Sequence, residues 1–442
     1  MTQLHPLQVF DVDQIRKDFP ALATERNGRP PIYLDNACAT IPCQQVIDTL
    51  NDYSIHFPSC GDRSPHYWGK KVDHEVARSR DAIARFINAS DPDQIIFTKN
   101  TTESLNLVAR GLHWERGDVV VNGDREHNSN RTVWVDISRE SGIQRKVISR
   151  DGTESPHAEF DVDYFLGELK TIDNIKMVSM TMSSNLDGNS ISASDIRKVC
   201  DYAHSEELQD ELQDFYVMLD CAQIVPHKPV DVQAMAVDFM AFSVHKMCGP
   251  TGLGVCYMKD PDILERGLVS GGGTVANTFD DGRQSIYLRS PHKYEAGLQH
   301  WSGIIAARSA VKYLEDKIED IPAHVLRLNE IVTEALLPCH EKEILTILGP
   351  LDPAKRGSIC TFEVHPQHER EDMGRFFLET VMGAADEYNM MFRAGDFCVS
   401  PYCRQIRGEK VARIRLSFYL YNTEEESRLA AEMFRRILDE RA

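Results

Sequence analysis

"DFMAFSVHKMCGPTGLGVCYMK", residues 238–259, sets the problem. The apolar run from Phe239 to Phe242 has the length and composition of a buried strand, and a second such run begins at Val255. Between them lies Lys246, just before a Gly-Pro turn. A lysine at a strand end commonly sends its charged head to water along a buried stem. The other reading is a lysine buried enough to be uncharged, nucleophilic and able to form a Schiff base. The flanking Ser243 and His245 and the close turn "GPTGLG" strengthen that second reading.

Working outward, the pattern alternates. "QIIFT" (94–98) reads as a strand and "TTESLNLVARGL" (101–112) as a helix. "DVVVNG" (118–123) is a strand, followed by a helical stretch through "TVWVDISRES" (132–141). "IKMVSMTMSSN" (175–185) is a long apolar strand ending in polar residues. The helix "SASDIRKVCDYAHSEELQ" (192–209) opens on a serine cap with an aspartate three positions on. "FYVMLDCAQ" (215–223) then precedes the opening stretch. Apolar strands separated by helices imply an α/β fold with a mainly parallel sheet sandwiched by helices. In such sheets the chemistry gathers at the carboxyl ends of the strands, where Asn185, Asp220 and Lys246 fall.

Beyond about residue 300 the character changes. "GIIAARSAVKYLEDKIED" (303–320) and "HVLRLNEIVTEALL" (324–337) are helices. "SICTFEVH" (358–365), "MMFRAGDFC" (390–398) and "VARIRLSFYLY" (411–421) are strand-like, and "TEEESRLAAEMFRRILDE" (423–440) is a closing helix. The expected organisation is an N-terminal segment, 1–28, packing with a small α+β domain, 301–442, and a large domain, 29–300, between them. No Pro/Ser-rich linker separates the two domains, so they are expected to share an interface. The repeat "ELQDELQD" (207–214) reads as a solvated helix extension.

The chain's 442 residues exceed one ordinary core, which agrees with two domains. A net charge of -19 disfavours non-specific binding to nucleic acid or to an anionic membrane. No apolar run approaches the roughly 18 residues of a membrane span. "MTQLHPLQVFDVDQ" has neither a basic region nor an apolar core, so no signal peptide is read there, and a cytoplasmic enzyme is expected. Eleven cysteines, an odd number spread over a long chain, do not form a disulfide framework. The two C-x4-C pairs, Cys38/Cys43 and Cys398/Cys403, lack a histidine cluster at zinc-like spacing, so no metal site is expected.

Several residues outside the opening stretch could complete a site. Asp220 ends a buried strand, and a carboxylate there needs a partner. A pyridinium nitrogen is one, and a helix cap is the plainer alternative. Thr101 and Thr102 open a helix, whose free N–H groups suit a phosphate or simply a cap. His127, in "GDREHNSN", is placed to stack on a planar cofactor or to sit idle in a turn.

Taken together, these residues resemble the class V aminotransferase family of fold-type I pyridoxal phosphate (PLP) enzymes. The nearest likeness is to SUF-type cysteine desulfurases and selenocysteine lyases. It runs almost end to end, through "FDVDQIRKDFP", "NGRPPIYLDNACAT", "RFINASDPDQIIFTKNTTESLNLVA", "EHNSN", "DCAQIVPHKPVDVQAM", "GGGT", "YEAGL" and "RLSFYLYNTEEE" as well as the opening stretch. The resemblance implies that Lys246 carries the cofactor, His127 stacks on its ring and Asp220 pairs with its nitrogen. Asn185 would lie beside the ring and Gln223 near its phenolic oxygen. Thr102, Ser243 and His245 would hold the phosphate, with Thr101 adjacent and Thr274 reaching across the interface of a homodimer. Arg415 would clamp the carboxylate of L-cysteine or a related amino acid, a task suited to a planar fork. Arg393 matches a second arginine, and Arg63 and His66 match the family's N-terminal loop.

Cys398, in "RAGDFCVSP", matches the family's sulfur-accepting thiol, from which an acceptor protein would take sulfur for iron–sulfur clusters or other uses. The two histidines that precede that thiol in the family are here Asp396 and Phe397. A carboxylate close to the thiol would disfavour the thiolate that the chemistry requires. Leu298 stands in place of a threonine that reaches the neighbouring subunit's phosphate, a loss for which His300 is the candidate substitute. Cys60 is added in the loop "CGDRSPH", and with Cys38 and Cys43 it could relay sulfur or bind metal, although ordinary buried thiols are the simpler reading. These departures leave two alternatives: another class V reaction without a persulfide (a C–S lyase, epimerase or aminotransferase), or a silent sulfur-transfer scaffold.

Overall fold

The structure, a computed structural model, describes residues 10–205, 208, 214–365, 373–408 and 411–439. Most of the repeat at 207–214 therefore lies outside the described residues. The main sheet has seven strands: β1 (Ile95–Thr98), β2 (Val119–Gly123), β3 (Gln144–Ile148), β4 (Ile175–Thr181), β5 (Tyr216–Asp220), β6 (Phe239–Ser243) and β7 (Gly254–Met258). Their order is β1-β7-β6-β5-β4-β2-β3. The run from β6 to β3 is parallel. β7 is antiparallel to both of its neighbours, so the sheet is mainly parallel with one reversed strand. That reversal follows from the tight "GPTGLG" return, which is too short for a parallel crossover.

Alternate residues of each strand enter two separate cores, as a pleated strand requires. Ile96, Val120, Met177, Met218 and Phe239 pack on one face with Leu105 and Val108 of helix α1 (Thr101–Gly111) and Trp134 of helix α2 (Ser129–Ser141). Phe97, Val121, Val178, Leu219 and Met240 pack on the other, with Ile196 and Val199 of helix α3 (Ala193–Ala203). Both faces are thus covered, which explains why the strands read as continuous apolar runs. Ser192 caps α3 by accepting from Asp195 N–H, as its sequence predicts.

A second sheet is antiparallel, with strands β8 (Leu345–Leu348), β9 (Ile359–Val364), β10 (Arg393–Ala394) and β11 (Ala412–Ser417) in the order β8-β9-β11-β10. The expected strand at 390–398 is broken here. Met390–Met391 pairs elsewhere with Ile32–Tyr33, β10 lasts two residues, and the chain then turns through left-handed φ values at Gly395, Phe397 and Cys398. β11 is shorter than the apolar run 411–421, whose end leaves the sheet yet stays buried at Phe418, Tyr419, Leu420 and Tyr421.

No described helix is long and apolar enough to cross a membrane.

Candidate active site

The parallel strands deliver Thr181, Asp220 and Ser243 to one edge of the main sheet. At that edge lies a cavity of about 250 Å³. Its lining includes Thr101, Thr102, His127, Asn185, Asp220 and Gln223. Ser243, His245, Lys246, Arg393, Cys398 and Arg415 complete the sequence-predicted set found there. Three predicted residues lie elsewhere. Thr274 is buried, its hydroxyl donating to Gly271 C=O at 2.8 Å. His66 caps the helix Tyr67–Phe86, its Nδ1 accepting from Gly69 N–H at 3.2 Å. Arg63 borders a second, larger hollow of about 910 Å³, beside Gly272, Gly273 and Leu298.

Lys246 ends a single 3-10 turn, Val244–Lys246, directly after β6. Its side chain is open only in part, and burial pushes its pKa down; Asp220 opposes that shift and Arg415 adds to it. Asp220 is 4% exposed. One of its oxygens accepts Ala222 N–H at 3.0 Å, and burial raises its pKa against the pull of that N–H and of Lys246. Both groups are therefore driven toward their neutral forms, as a dry site demands.

His127 Nδ1 accepts Ser129 N–H at 3.1 Å and lies 2.9 Å from Ser129 Oγ. Burial, reinforced by Lys246 and Arg415, pushes its pKa down to about 4. Its ring is thus uncharged at neutral pH. His245 is likewise brought down to about 4 by burial and by Lys246.

A cluster of hydroxyls stands at the start of α1. Thr101 N–H donates to Ser243 Oγ at 2.9 Å, the Thr101 and Ser243 hydroxyls are 2.7 Å apart, and those of Thr102 and Ser129 are also 2.7 Å apart. Asn100 caps the helix by accepting Glu103 N–H at 2.9 Å. The positive end of α1 therefore faces a wall of hydroxyl donors, a natural anion cradle.

The opposite wall comes from the second sheet and the loop after Tyr33. Arg415 is 2% exposed, and it donates to Asn185 C=O at 2.9 Å and to Asp35 at 3.1 Å. Its Nε is buried without a partner. Arg393 also reaches Asp35, at 3.5 Å, and its Nη1 contacts the Cys38 sulfur. Gln223 donates to Ala37 C=O at 2.7 Å, which ties this loop to the end of β5. Sequence reading did not assign Asp35, Ser129 or Phe397 to the site. The Asp35–Arg415 and Phe397–Asn185 contacts cross 380 and 212 residues of chain and no local pattern encodes them, whereas Ser129 lies two residues from His127 and its place beside that ring was the available signal.

Cys398 is exposed and lines the cavity. Its backbone has φ 60°, after Phe397 at φ 51°. Two consecutive left-handed residues other than glycine hold the thiol forward at a local conformational cost. Phe397 C=O accepts Asn185 Nδ2 at 2.7 Å, and Cys398 C=O accepts Asn128 N–H at 2.6 Å. Asp396 does not face the thiol as a free carboxylate. It is bound by Arg404 at 2.6 Å and by the buried Arg413 at 3.0 Å. His300 lies outside the cavity at the start of the helix Trp301–Glu315, and Leu298 is 76% exposed. Cys60 is exposed and Cys43 buried, and no metal-binding cluster of histidine, cysteine or carboxylate occurs among the described residues.

These residues fit PLP on their own chemistry: a buried acid in need of a cationic N–H, a lysine whose charged form burial disfavours, a neutral ring, and a hydroxyl-lined helix end suited to a phosphate. The profile described as Aminotransferase class-V matches residues 32–428. The chain belongs to that family. It is 33% identical to a probable cysteine desulfurase of Streptomyces coelicolor, with 96% of each chain covered. It is 32% identical to a cysteine desulfurase of Haloferax volcanii, with 94% of each covered. Among solved structures it is similar to the Escherichia coli cysteine desulfurase CsdA in S-sulfonic acid form, with a TM-score of 0.81, 26% identity and 98% and 99% of the two chains covered.

Proposed function

We propose that this chain is a PLP-dependent cysteine desulfurase that turns L-cysteine into alanine and keeps the sulfur as a persulfide on Cys398. The observation that carries the reading is an exposed thiol on a left-handed turn, lining the same cavity as a half-buried lysine and a buried aspartate.

Lys246 would hold the cofactor, Asp220 its ring nitrogen, and Thr101, Thr102, Ser243 and His245 its phosphate. His127 would cover the ring, with Asn185 and Gln223 at its edges. PLP, when bound, supplies the electron sink that makes the α-proton acidic. Lys246 Nζ, whose uncharged form is favoured by burial, accepts that proton. Arg415, with Arg393 beside it, orients the substrate carboxylate as a planar fork. The Cys398 thiolate then attacks the substrate sulfur, the carbon–sulfur bond breaks, and its electron pair returns to carbon as alanine forms.

An acceptor protein that draws sulfur from Cys398, for iron–sulfur cluster assembly or other sulfur metabolism, fits a thiol exposed at the cavity mouth. The exposed Tyr67, Trp68, Ile286 and Leu298 support a homodimer. The proposed roles of Thr274 at the phosphate and of Arg63 and His66 at the substrate require that second copy, since all three lie outside this chain's own cavity. None of the eleven cysteines is in a disulfide, which supports a reducing, cytoplasmic setting.

The test is to supply L-cysteine and a reductant and to quantify alanine and sulfide together. Equal yields of both, lost in Cys398→Ser, are expected. Alanine formation that persists in Cys398→Ser would instead establish a lyase that needs no persulfide.

A further inference from the structure

The catalytic cavity holds a second thiol that the reaction above does not use. Cys38 is partly exposed and lines the same cavity as Cys398 and Lys246. Of the other nine cysteines, Cys60 is exposed elsewhere and the rest are buried. Cys38 is also held in place. Cys38 N–H donates to Asp35 C=O at 3.0 Å and Ala37 N–H donates to Ser417 Oγ at 2.9 Å. Ala37 C=O accepts from Gln223, and Thr40 N–H donates to His245 C=O at 2.9 Å. The loop is thereby pinned on both sides of Cys38 to residues of the site. Arg393 directs a guanidinium N–H at the Cys38 sulfur, the partner a thiolate seeks. The Arg415 Nε, buried in the same cavity without a partner, marks further unmet capacity to bind an anionic group there.

We propose that Cys38 is a second sulfur-carrying thiol, which takes the outer sulfur of the Cys398 persulfide and so frees Cys398 for another turnover. The proposal rests on the reading that Cys398 receives sulfur first. In the step itself the Cys38 thiolate attacks the outer sulfur, and a new sulfur–sulfur bond forms on Cys38 as the one on Cys398 breaks. The electron pair of the broken bond leaves on Cys398 as thiolate. No oxidant or reductant is consumed, because one persulfide replaces another.

The experiment uses full-length holoenzyme mixed with excess L-cysteine and no reductant, then quenched by alkylation. Alanine is counted, and peptide mass spectrometry locates the added sulfur. Wild type is expected to release about two alanines per chain in the burst, with sulfur on both Cys398 and Cys38. Cys38→Ser should release about one, with sulfur on Cys398 alone, and Cys398→Ser none, with Cys38 unmodified. Cys60→Ser should match wild type. Sulfur on Cys398 only, with one alanine per chain in wild type, overturns the relay and leaves the desulfurase reading intact. Sulfur on Cys60 as readily as on Cys38 overturns it as well, since transfer would then be indiscriminate. Sulfur on Cys38 in Cys398→Ser shows that Cys38 is loaded directly and overturns the proposed order. Alanine without sulfur on either thiol overturns the persulfide reading itself.

Discussion

Replacing Asp396 by asparagine separates two opposite ideas of that residue. A free carboxylate two positions from Cys398 would oppose thiolate formation, and its removal would speed the reaction. The structure instead makes Asp396 an anchor. It binds Arg413, whose side chain is 1% exposed, at 3.0 Å, and Arg404, whose side chain is 59% exposed, at 2.6 Å. A charge-assisted bond to a buried group is worth about 1.5–3 kcal/mol. An exposed pair adds about 0.5 kcal/mol. Asparagine keeps one acceptor oxygen, and Arg413 keeps Glu363 at 2.8 Å. The expected loss is therefore about 1–2 kcal/mol, confined to the turn that presents Cys398, which raises its open population roughly tenfold. Hydrogen exchange reads this directly at Val399 N–H, bonded to Asp396 C=O at 2.8 Å, and at Cys403 N–H, bonded to Val399 C=O at 3.1 Å. Exchange should quicken there, and kcat for alanine should fall. Unchanged exchange with a higher kcat would refute the anchor and restore the repulsion.

Arg415→Lys keeps the charge but cannot hold both Asn185 C=O and Asp35 in one plane. A loss of about 2 kcal/mol, or roughly 30-fold in kcat/KM, is expected, read by alanine assay across L-cysteine concentrations. Lys246→Ala should lose the yellow Schiff-base absorbance and the reaction together, checked by spectrum and assay after dialysis. Gly254→Ala would place a Cβ 2.5–2.7 Å from the backbone N, Cα and C of Asn100, the cap of α1. Overpacking there should cost about 1–3 kcal/mol and weaken cofactor retention, measured by thermal melting with and without added PLP. His227 is buried with its Nδ1 3.0 Å from Gln223 C=O, and burial brings its pKa from the ordinary 6.5 down to about 4. The unfolded chain thus binds this proton first, so the stability that the neutral ring contributes is full above 6.5 and is lost as pH falls toward 4. His227→Asn, which keeps a donor, should show a smaller fall in denaturation midpoint between pH 7 and about 5 than wild type, compared by urea titration.

What the sequence made legible was whatever chemistry is written locally. Lys246, Asp220 and Ser243 could be found because each closes a hydrophobic run, and parallel strands of buried residues carry their ends to one edge. The hydroxyl cradle was legible because a helix start has unpaired N–H groups whatever the fold. Cys398 is the reverse case. Its turn was expected as a strand from the apolar start "MMF", although the Gly395-Asp396 pair that follows suits a turn. The conformation of the turn itself is set by long-range contacts. Asn185 and Asn128 hold the Phe397 and Cys398 carbonyls from 212 and 270 positions away, and these bonds fix a backbone that neither residue favours alone. Asp396 shows the same limit in charge. Beside a cysteine in the sequence it reads as a repelling neighbour, but the partners that settle its role lie 8 and 17 residues onward, and only the fold brings them to its two oxygens. The sign of a nearby charge can be read from a sequence. Whether that charge acts on the thiol or is consumed by an arginine depends on direction, which the residue order alone does not contain.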